Sequence, residues 1–446
     1  MDIALKRWSE GLRAAACAAV LLAGASAAVA APAKPGDTIT YRVEKGDNLY
    51  TLAERYFRQP GDYRVVQRLN RVANPYRLAI GSTLVIPRSV LRREPIPAIV
   101  QNFSGSVLVG PADRQRPATA GMKVQEADVI RTGPRSFVTL RLPDASTVSL
   151  PSQTSVRVAT LRRTLLANSV ERSFAVENGR VRANVTPMAD PFSDFRISTP
   201  IASSAVRGTR FSVSFAPAEG RATSEVVEGA VDFEEKGAGT HALTTGFGSA
   251  NGLTAPVALL PTPTLKAAEK VQDEEILAFA AEPLAGAARM RFQIARDAGF
   301  LDVIDEAEQD GTGATLPSLP NGIYFVRLSA IDGHGLEGMP ATYSFERRLN
   351  RISTSMEAGQ AGKYRQYLFR WFTPDAQTPQ YRFQLASDEA GTALLVDEPG
   401  LTTASFILTD LPSGTYYWRV MTLERIDGKT YEKWSPMEQL RVATGK

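Results

Sequence analysis

Few side chains in this chain could carry a reaction. Among 446 residues there is one cysteine and there are two histidines. Cys17 lies in an apolar N-terminal stretch, so the rest of the chain holds no thiolate nucleophile, disulfide framework or cysteine zinc cluster. His241 and His334 stand in the Gly-flanked stretches GAGTHAL and IDGHGLEG and read as solvated turn residues. G-x-S-x-G, H-E-x-x-H and G-x-x-x-x-G-K-[ST] do not occur. TGFGSANG supplies Gly246, Gly248 and Gly252, but a dinucleotide fingerprint needs its third glycine at 251, which is Asn251. Asp302, Asp305 and Glu306 in LDVIDEAEQD could form an acid pair, yet such catalysis needs a cleft and a set separation. A solvated loop explains them equally well. No cofactor and no metal site is expected.

What positions and delivers the chain is more legible. Lys6, Arg7 and Arg13 precede the uncharged run AAACAAVLLAGASAAVA (14–30), which ends in the A-x-A pattern Ala28-Val29-Ala30. That is the layout of a cleaved secretory signal over residues 1–30; an uncut anchor is the alternative, though the run is Ala-rich and short for a spanning helix. No later apolar run is long enough to span, so no membrane span is expected after cleavage. Net charge is +4, with no block of like charges, which argues against a nucleic-acid partner. Hydrophobic residues make up 43% and charged residues 22%, ordinary for folded domains, and the length predicts about three domains or more.

Residues 39–87 read as a compact β-α-α-β unit. ITYRV alternates as a strand, Gly46-Asp47 breaks it, and Leu49, Leu52, Ala53, Tyr56 and Phe57 form one helical stripe that Asp47 or Asn48 can cap. Asp62 is a second candidate cap, for a short helix carrying Tyr63, Val66 and Leu69; Ser82–Pro87 returns as a strand stopped by proline. The residues Tyr41, Val43, Gly46, Asp47 and Leu49, then Leu69-Asn70, then Gly81, Leu84, Ile86 and Pro87 resemble the pattern of a LysM module. The resemblance implies binding of peptidoglycan or a related N-acetylglucosamine glycan in a shallow groove between two loops. Those loops correspond to Gly46, Asp47, Asn48 and Leu49, and to Asn74, Pro75, Tyr76, Arg77, Leu78 and Ile80. Exposed backbone amides would address N-acetyl and hydroxyl groups, with apolar contact from Leu49, Tyr76 and Ile80; Leu49 fits core or groove equally. Asn70 reads as satisfying backbone groups. Asn48 stands where the family has Thr or Ser, so altered capping is expected.

Beyond a basic, proline-containing linker, RSVLRREPIPA (88–98), short alternating runs such as STVSL, TSVRVATL, FRIST and RFSVSF predict a β-rich domain over 100–260. Short strands and frequent turns favour a rolled or solenoid-like sheet over a sandwich. SGSVLVGP, ENGRV and above all STPIASSAVRGTRFSV resemble a FecR-type domain. In that family the domain serves the periplasmic part of a regulator with a transmembrane helix and a cytoplasmic segment, so the likeness transfers a fold rather than the circuit. Asp144-Ala145-Ser146 replaces the family's D-G-S, so an altered turn is expected, and Arg207 reads as a structural tie between strands.

The last third repeats itself. RFQIARD (291–297) recurs as RFQLASD (382–388) and LPNGIYFVRL (319–328) as LPSGTYYWRV (411–420), at offsets of 91 and 92 residues. Two tandem fibronectin-III or Ig-like sandwiches are expected, over 271–350 and 364–446, after a connector PTPTLKAAEK (261–270). The alternation of Tyr416, Trp418 and Val420 places them on a buried face. The fold class expected is therefore multidomain and mainly β. The function expected is a non-enzymatic, periplasmic, peptidoglycan-associated protein of a bacterial envelope. Its β-domains would face an unidentified envelope protein or sense a signal. The alternative is a peptidoglycan hydrolase delivered by its LysM module.

Overall fold

The structure, a computed structural model, describes residues 38–443 apart from 167–168, 189, 191–192, 267–269, 350, 375, 377 and 427. The signal stretch, Cys17 included, lies outside the described residues. The chain divides into two compact bodies, one ending at Val90 and one beginning at Leu91.

In the first body, strand Thr38–Arg42 pairs antiparallel with Thr83–Pro87, matching Ile39 to Ile86 and Tyr41 to Leu84. Helix α1 (Leu49–Tyr56) begins at Asn48, whose carboxamide accepts the N–H groups of Tyr50 and Thr51 at 3.0 and 2.9 Å. Thr51 Oγ1 in turn accepts the Asn48 N–H, completing a reciprocal cap. Asn48 is thus the cap, and the asparagine does the work of the family's hydroxyl residue. Asp62 is not the second cap: its carboxylate accepts from Gln59 N–H across the preceding 3-10 turn, and helix α2 (Tyr63–Leu69) starts without a side-chain cap. Of the expected stripe, Leu49, Leu52, Ala53 and Phe57 are buried and Tyr56 half-buried; Val66 joins them, while Leu69 is half exposed. Asn70 ties α2 to the returning strand. Its Nδ2 donates to the carbonyls of Val66 and Val85, and its Oδ1 accepts Val85 N–H at 2.7 Å.

The middle domain closes into a barrel whose strands fall into two ladders, and the chain alternates between them in pairs. Strand Ser169–Asn184 belongs to both: its first half pairs with Ser155–Thr164, its second half with Thr147–Leu150 and Arg210–Ala216. Hairpins then land by turns on one ladder (Asp194–Ser198 and Ala202–Val206), the other (Arg210–Ala216 and Arg221–Glu228), and the first again (Ala230–Glu235 and Gly239–Thr244). This winding is the rolled, solenoid-like course expected from the short strands. Val148, Val181 and Phe211 from one ladder meet Val158, Phe174, Ile197 and Phe233 from the other in one core. Each such side chain stabilises the fold by about 1.5–3 kcal/mol on burial. The stretch 88–98 is not a free linker, because Arg93–Pro95 pairs with the end of strand Ser155–Thr164.

The S-T-P…V-R-G-T line has a steric explanation. Thr199 Oγ1 accepts Ala202 N–H at 2.9 Å and fixes the hairpin turn. Gly208 has φ +122°, and a Cβ there would lie 2.6 Å from Pro187 Cα. Arg207 is exposed and donates to the Asp190 carbonyl at 2.8 Å, which fits a structural tie. At the Asp144-Ala145-Ser146 turn the backbone keeps a left-handed shape despite the missing glycine, with Ala145 at φ 65°. Asp144 holds the turn by accepting from Ser146 Oγ at 2.8 Å and from Arg172.

Both repeats are sandwiches. The first packs the sheet that includes Arg289–Ala295, Gly322–Ile331 and Ala341–Arg347 against a two-stranded sheet of Leu277–Ala280 and Gly313–Leu316. The second packs Ser353–Ala361, Tyr364–Phe372 and Ser405–Thr409 against a sheet built on Gln380–Ala386 and Gly414–Ile426. The repeat is exact at one telling contact: Tyr324 donates to the Pro320 carbonyl at 3.1 Å and Tyr416 to that of Pro412 at 2.9 Å. Such a tyrosine corner is typical of these folds. Trp371 and Trp418 are core, and Trp434 lies under the Arg419 guanidinium at 4.1 Å. His334 does sit in a turn, but His241 does not. It lies on strand Gly239–Thr244, where Nδ1 meets Ser249 Oγ at 3.1 Å.

Glu346 of the first sandwich bridges to the second. It accepts from Tyr431 at 2.6 Å and Lys429 at 3.1 Å, and pairs with Arg348. The Tyr431 hydrogen bond, with those from Lys429 and Arg348, outweighs partial burial and holds its carboxyl down at about 2. A depressed carboxyl gives stability that is fully present above its unfolded value of roughly 4.3. That contribution should fade as pH falls from about 4.5 towards 2, and the fading should vanish in Glu346→Gln, as measured by thermal melts of both proteins across that range. Two substitutions in the middle domain should move stability in opposite directions. Gly208→Ala should cost roughly 3 kcal/mol, since the new Cβ strikes backbone. Ala145→Gly should stabilise by about 1 kcal/mol by relieving the left-handed alanine. Urea unfolding of each variant reads both, and a shift of the same sign in the two would contradict the steric account.

Candidate functional site

The two loops singled out by sequence do come together. Leu49 N–H donates to the Pro75 carbonyl at 2.9 Å, so the start of α1 is stitched to the loop after α2. The other end of that loop is fixed by Gly81 N–H donating to the Val43 carbonyl at 2.8 Å. Gly46, at φ +95°, makes the turn between strand and helix. A side chain there would meet nothing within 4 Å, so the need for glycine is conformational.

The loops differ in what they offer. In the first, every N–H from Asp47 to Thr51 is already committed: Asp47 to Glu44, Asn48 to Thr51, Leu49 to Pro75, and Tyr50 and Thr51 to Asn48. The Asp47 carboxylate turns inward, accepting from Tyr41 Oη at 2.6 Å and Glu44 N–H at 2.8 Å. Burial, and then that bond to Asp47, pushes the Tyr41 hydroxyl's ionisation well above its usual range. The Leu49 side chain is wholly buried, so it is core and cannot touch a ligand. Exposed amides were expected from both loops, and the turn at Glu44, the helix cap and the bond to Pro75 consume those of the first.

The second loop carries the open chemistry. Asn74 organises its start, accepting Tyr76 N–H on Oδ1 and Arg77 N–H on its carbonyl. Among the described residues, the N–H groups of Leu78, Ala79 and Ile80 have no partner. Beside them Tyr76 is 66% and Ile80 70% exposed, large values for apolar side chains in so small a module. Arg77 is exposed and Leu78 half-buried.

Sequence reasoning missed the aromatic support. Tyr50 stacks on Tyr76 with ring centroids 4.5 Å apart and meets Tyr63, tilted by 42°, at the same centroid distance. Tyr50 Oη donates to Tyr63 Oη at 3.1 Å, and these hydroxyl contacts raise the ionisation of Tyr50 and lower that of Tyr63. Tyr76 is therefore held in place by a ring beneath it. Tyr50, on the first turn of α1, falls outside the apolar stripe; only the recurrence of tyrosine at 50, 63 and 76 hinted at a cluster.

Of the candidate carboxylates in LDVIDEAEQD, Asp302 lies in a loop and the other two do not. Asp305 and Glu306 lie on strand Val303–Gln309. Asp305 is clamped by Arg135 at 2.6 and 3.1 Å, and Glu306 accepts from Ser152 N–H and Gln293. Asp302 pairs with Arg296 at 3.1 Å. Among the described residues no group of three His, Cys, Asp or Glu side chains could hold a metal ion, and no helix is long and apolar enough to cross a membrane.

Comparison with known proteins locates two families. The model for the LysM domain matches residues 41–87, and that for the FecR protein matches residues 128–232. Among solved structures, one described as an anti-sigma factor from Parabacteroides distasonis is 21% identical, covering 29% of this chain and 59% of its own, with a TM-score of 0.25. The fibronectin(III)-like modules of Clostridium thermocellum CbhA are 9% identical, covering 40% of this chain and 90% of their own, with a TM-score of 0.21. The chain thus spans 59% of the length of the anti-sigma factor structure. No curated protein matches it. With α1, α2 and their two strands under the first family match and the alternating ladders under the second, the chain carries a LysM domain at 41–87 and a FecR domain at 128–232.

Proposed function

We propose that this is an exported, non-enzymatic protein of the bacterial cell envelope that holds peptidoglycan through its LysM domain. Its FecR domain and sandwiches are then left to meet an envelope protein or to sense a signal. The observation that carries the reading is the loop 74–80. Three unpaired N–H donors stand beside an exposed Ile80 and a Tyr76 backed by Tyr50, which suits the acetamido groups and apolar faces of an N-acetylglucosamine chain. The groove residues in this reading are Asn74, Pro75, Tyr76, Arg77, Leu78 and Ile80. Gly46, Asp47 and Asn48 act by shaping the turn.

The signal-like N-terminus and the pairing of LysM with FecR support a periplasmic, wall-associated location. The hydrolase alternative loses its candidate acids, because Asp302, Asp305 and Glu306 are all spent on arginines, amides and backbone N–H groups. One shallow groove buries little area per sugar, so firm attachment calls for a second contact made by a partner or a second copy.

The protein beginning at Ala31 should pellet with insoluble peptidoglycan, and a version lacking residues 39–87 should stay in solution. Pelleting of both would move wall binding elsewhere. Tyr76→Ala and Ile80→Ala should each weaken the binding about tenfold, roughly the 1.4 kcal/mol of one lost apolar contact. Asp47→Asn should act instead on the stability of the module. In a peptidoglycan zymogram no clearing is expected, and a cleared band at the protein's position would favour the hydrolase.

A further inference from the structure

The FecR domain and the first sandwich share a partly open cavity of about 400 Å³. Its walls are of two kinds. Phe137, Phe211, Phe300 and Leu301 are apolar, and Arg182, Arg210 and Arg327 bring guanidinium groups. The charges there do not match one for one. Arg182 is taken by Glu337 and Gln293, and Arg210 reaches the exposed Glu228 at 3.3 Å. Glu225, the other acid in the wall, is spent on Ser212, Thr223 and Arg180. Arg327, on strand Gly322–Ile331, is different. Among the described residues its side chain has no hydrogen bond and no carboxylate within ion-pair distance, and its guanidinium lies over the Phe300 ring at 3.8 Å from the centroid.

A half-buried cation with no paired carboxylate is costly. Burial, with repulsion from Arg182 and Arg210, outweighs the more distant attraction of Glu337 and Asp297 and pulls the Arg327 pKa down to about 9. Phe300, which covers it, adopts a left-handed backbone at φ 56°, a strained shape for an aromatic residue. An unmatched cation, a strained ring against it and an apolar hollow in front of it are the parts of a binding site.

We propose that this cavity binds a small organic oxyanion, its headgroup on Arg327 with help from Arg210 and its apolar body among Phe137, Phe211, Phe300 and Leu301. Because the walls come from both domains, such a ligand would join the FecR domain to the first sandwich. A carboxylate and a phosphate monoester share the required chemistry. The site is independent of the LysM groove, so it stands or falls apart from wall binding.

Calorimetric titration of the protein from Ala31 with benzoate and with phenyl phosphate tests it, beside benzyl alcohol and inorganic phosphate. Saturable binding of either aromatic anion is expected, with both controls binding at least about tenfold more weakly. Which anion binds tighter identifies the headgroup. Arg327→Met, which breaks no hydrogen bond, should weaken the binding about tenfold or more, and Arg210→Met by about threefold. Absence of saturable binding by both anions overturns the proposal. So does equal binding of benzyl alcohol, or unchanged affinity in Arg327→Met. Were Arg327→Met to fail to fold, unchanged affinity in Arg210→Met together with equal binding of the alcohol would overturn it as well.

Discussion

The Glu337 carboxylate, buried between the FecR domain and the first sandwich, imposes a condition on everything around it. A carboxylate out of water must find charge and hydrogen bonds or be neutralised. Here it accepts from Arg180 at 2.7 Å, Arg291 at 3.1 Å, Ser329 at 2.6 Å and Arg182. Burial alone would raise its pKa, but the attraction of Arg182, Arg291 and Arg180 wins and holds it well below the usual carboxylate range. Two of those arginines lie on the FecR strand Ser169–Asn184 and one on the sandwich strand Arg289–Ala295, so neither domain can satisfy it alone.

The surroundings follow from that constraint. Gln293 leans on Arg182 and Glu306 on Gln293, while Asp305 binds Arg135, extending the polar seam along the sandwich strand Val303–Gln309. The FecR strand Phe137–Arg141 loses the alternation of a half-solvated strand. Phe137, Val138, Thr139 and Leu140 are all buried, because its outward side faces the cavity at the sandwich. Buried pairs of this kind add little net stability relative to apolar packing, but they tolerate only one arrangement, since any slip leaves a charge unpaired. Glu346 repeats the device on a smaller scale between the two sandwiches.

Much of the LysM domain was legible because its determinants are local. The stripe from Leu49 to Phe57, the strand break at Gly46-Asp47 and a cap at Asp47 or Asn48 act within a few residues of one another, and the structure shows the stripe, the break and the cap at Asn48. The groove was less legible. Which amides remain free depends on hydrogen bonds closed between distant segments, as from Leu49 to Pro75, and the stacking of Tyr50 beneath Tyr76 follows neither helical nor strand periodicity. Leu69 misled for a similar reason, since a helical spacing does not say which residues the neighbouring strand will cover, whereas Asp62 failed as a cap because its carboxylate closes the preceding turn on Gln59 N–H.

By itself the sequence determined the kinds of domain and their order, through the LysM and FecR motifs, the period-two strands of the middle and the ninety-residue repeat. Those signals are local or repeated, so they survive in one dimension. Tertiary structure decided how the domains of the second body lock together and where the unmatched Arg327 charge is left. Charges such as Arg182 and Glu337 lie 155 residues apart, and what each one faces is fixed only when two folded surfaces meet. Burial turns that meeting into an energy, because a charge that water would screen anywhere on the chain must there be answered by a particular partner.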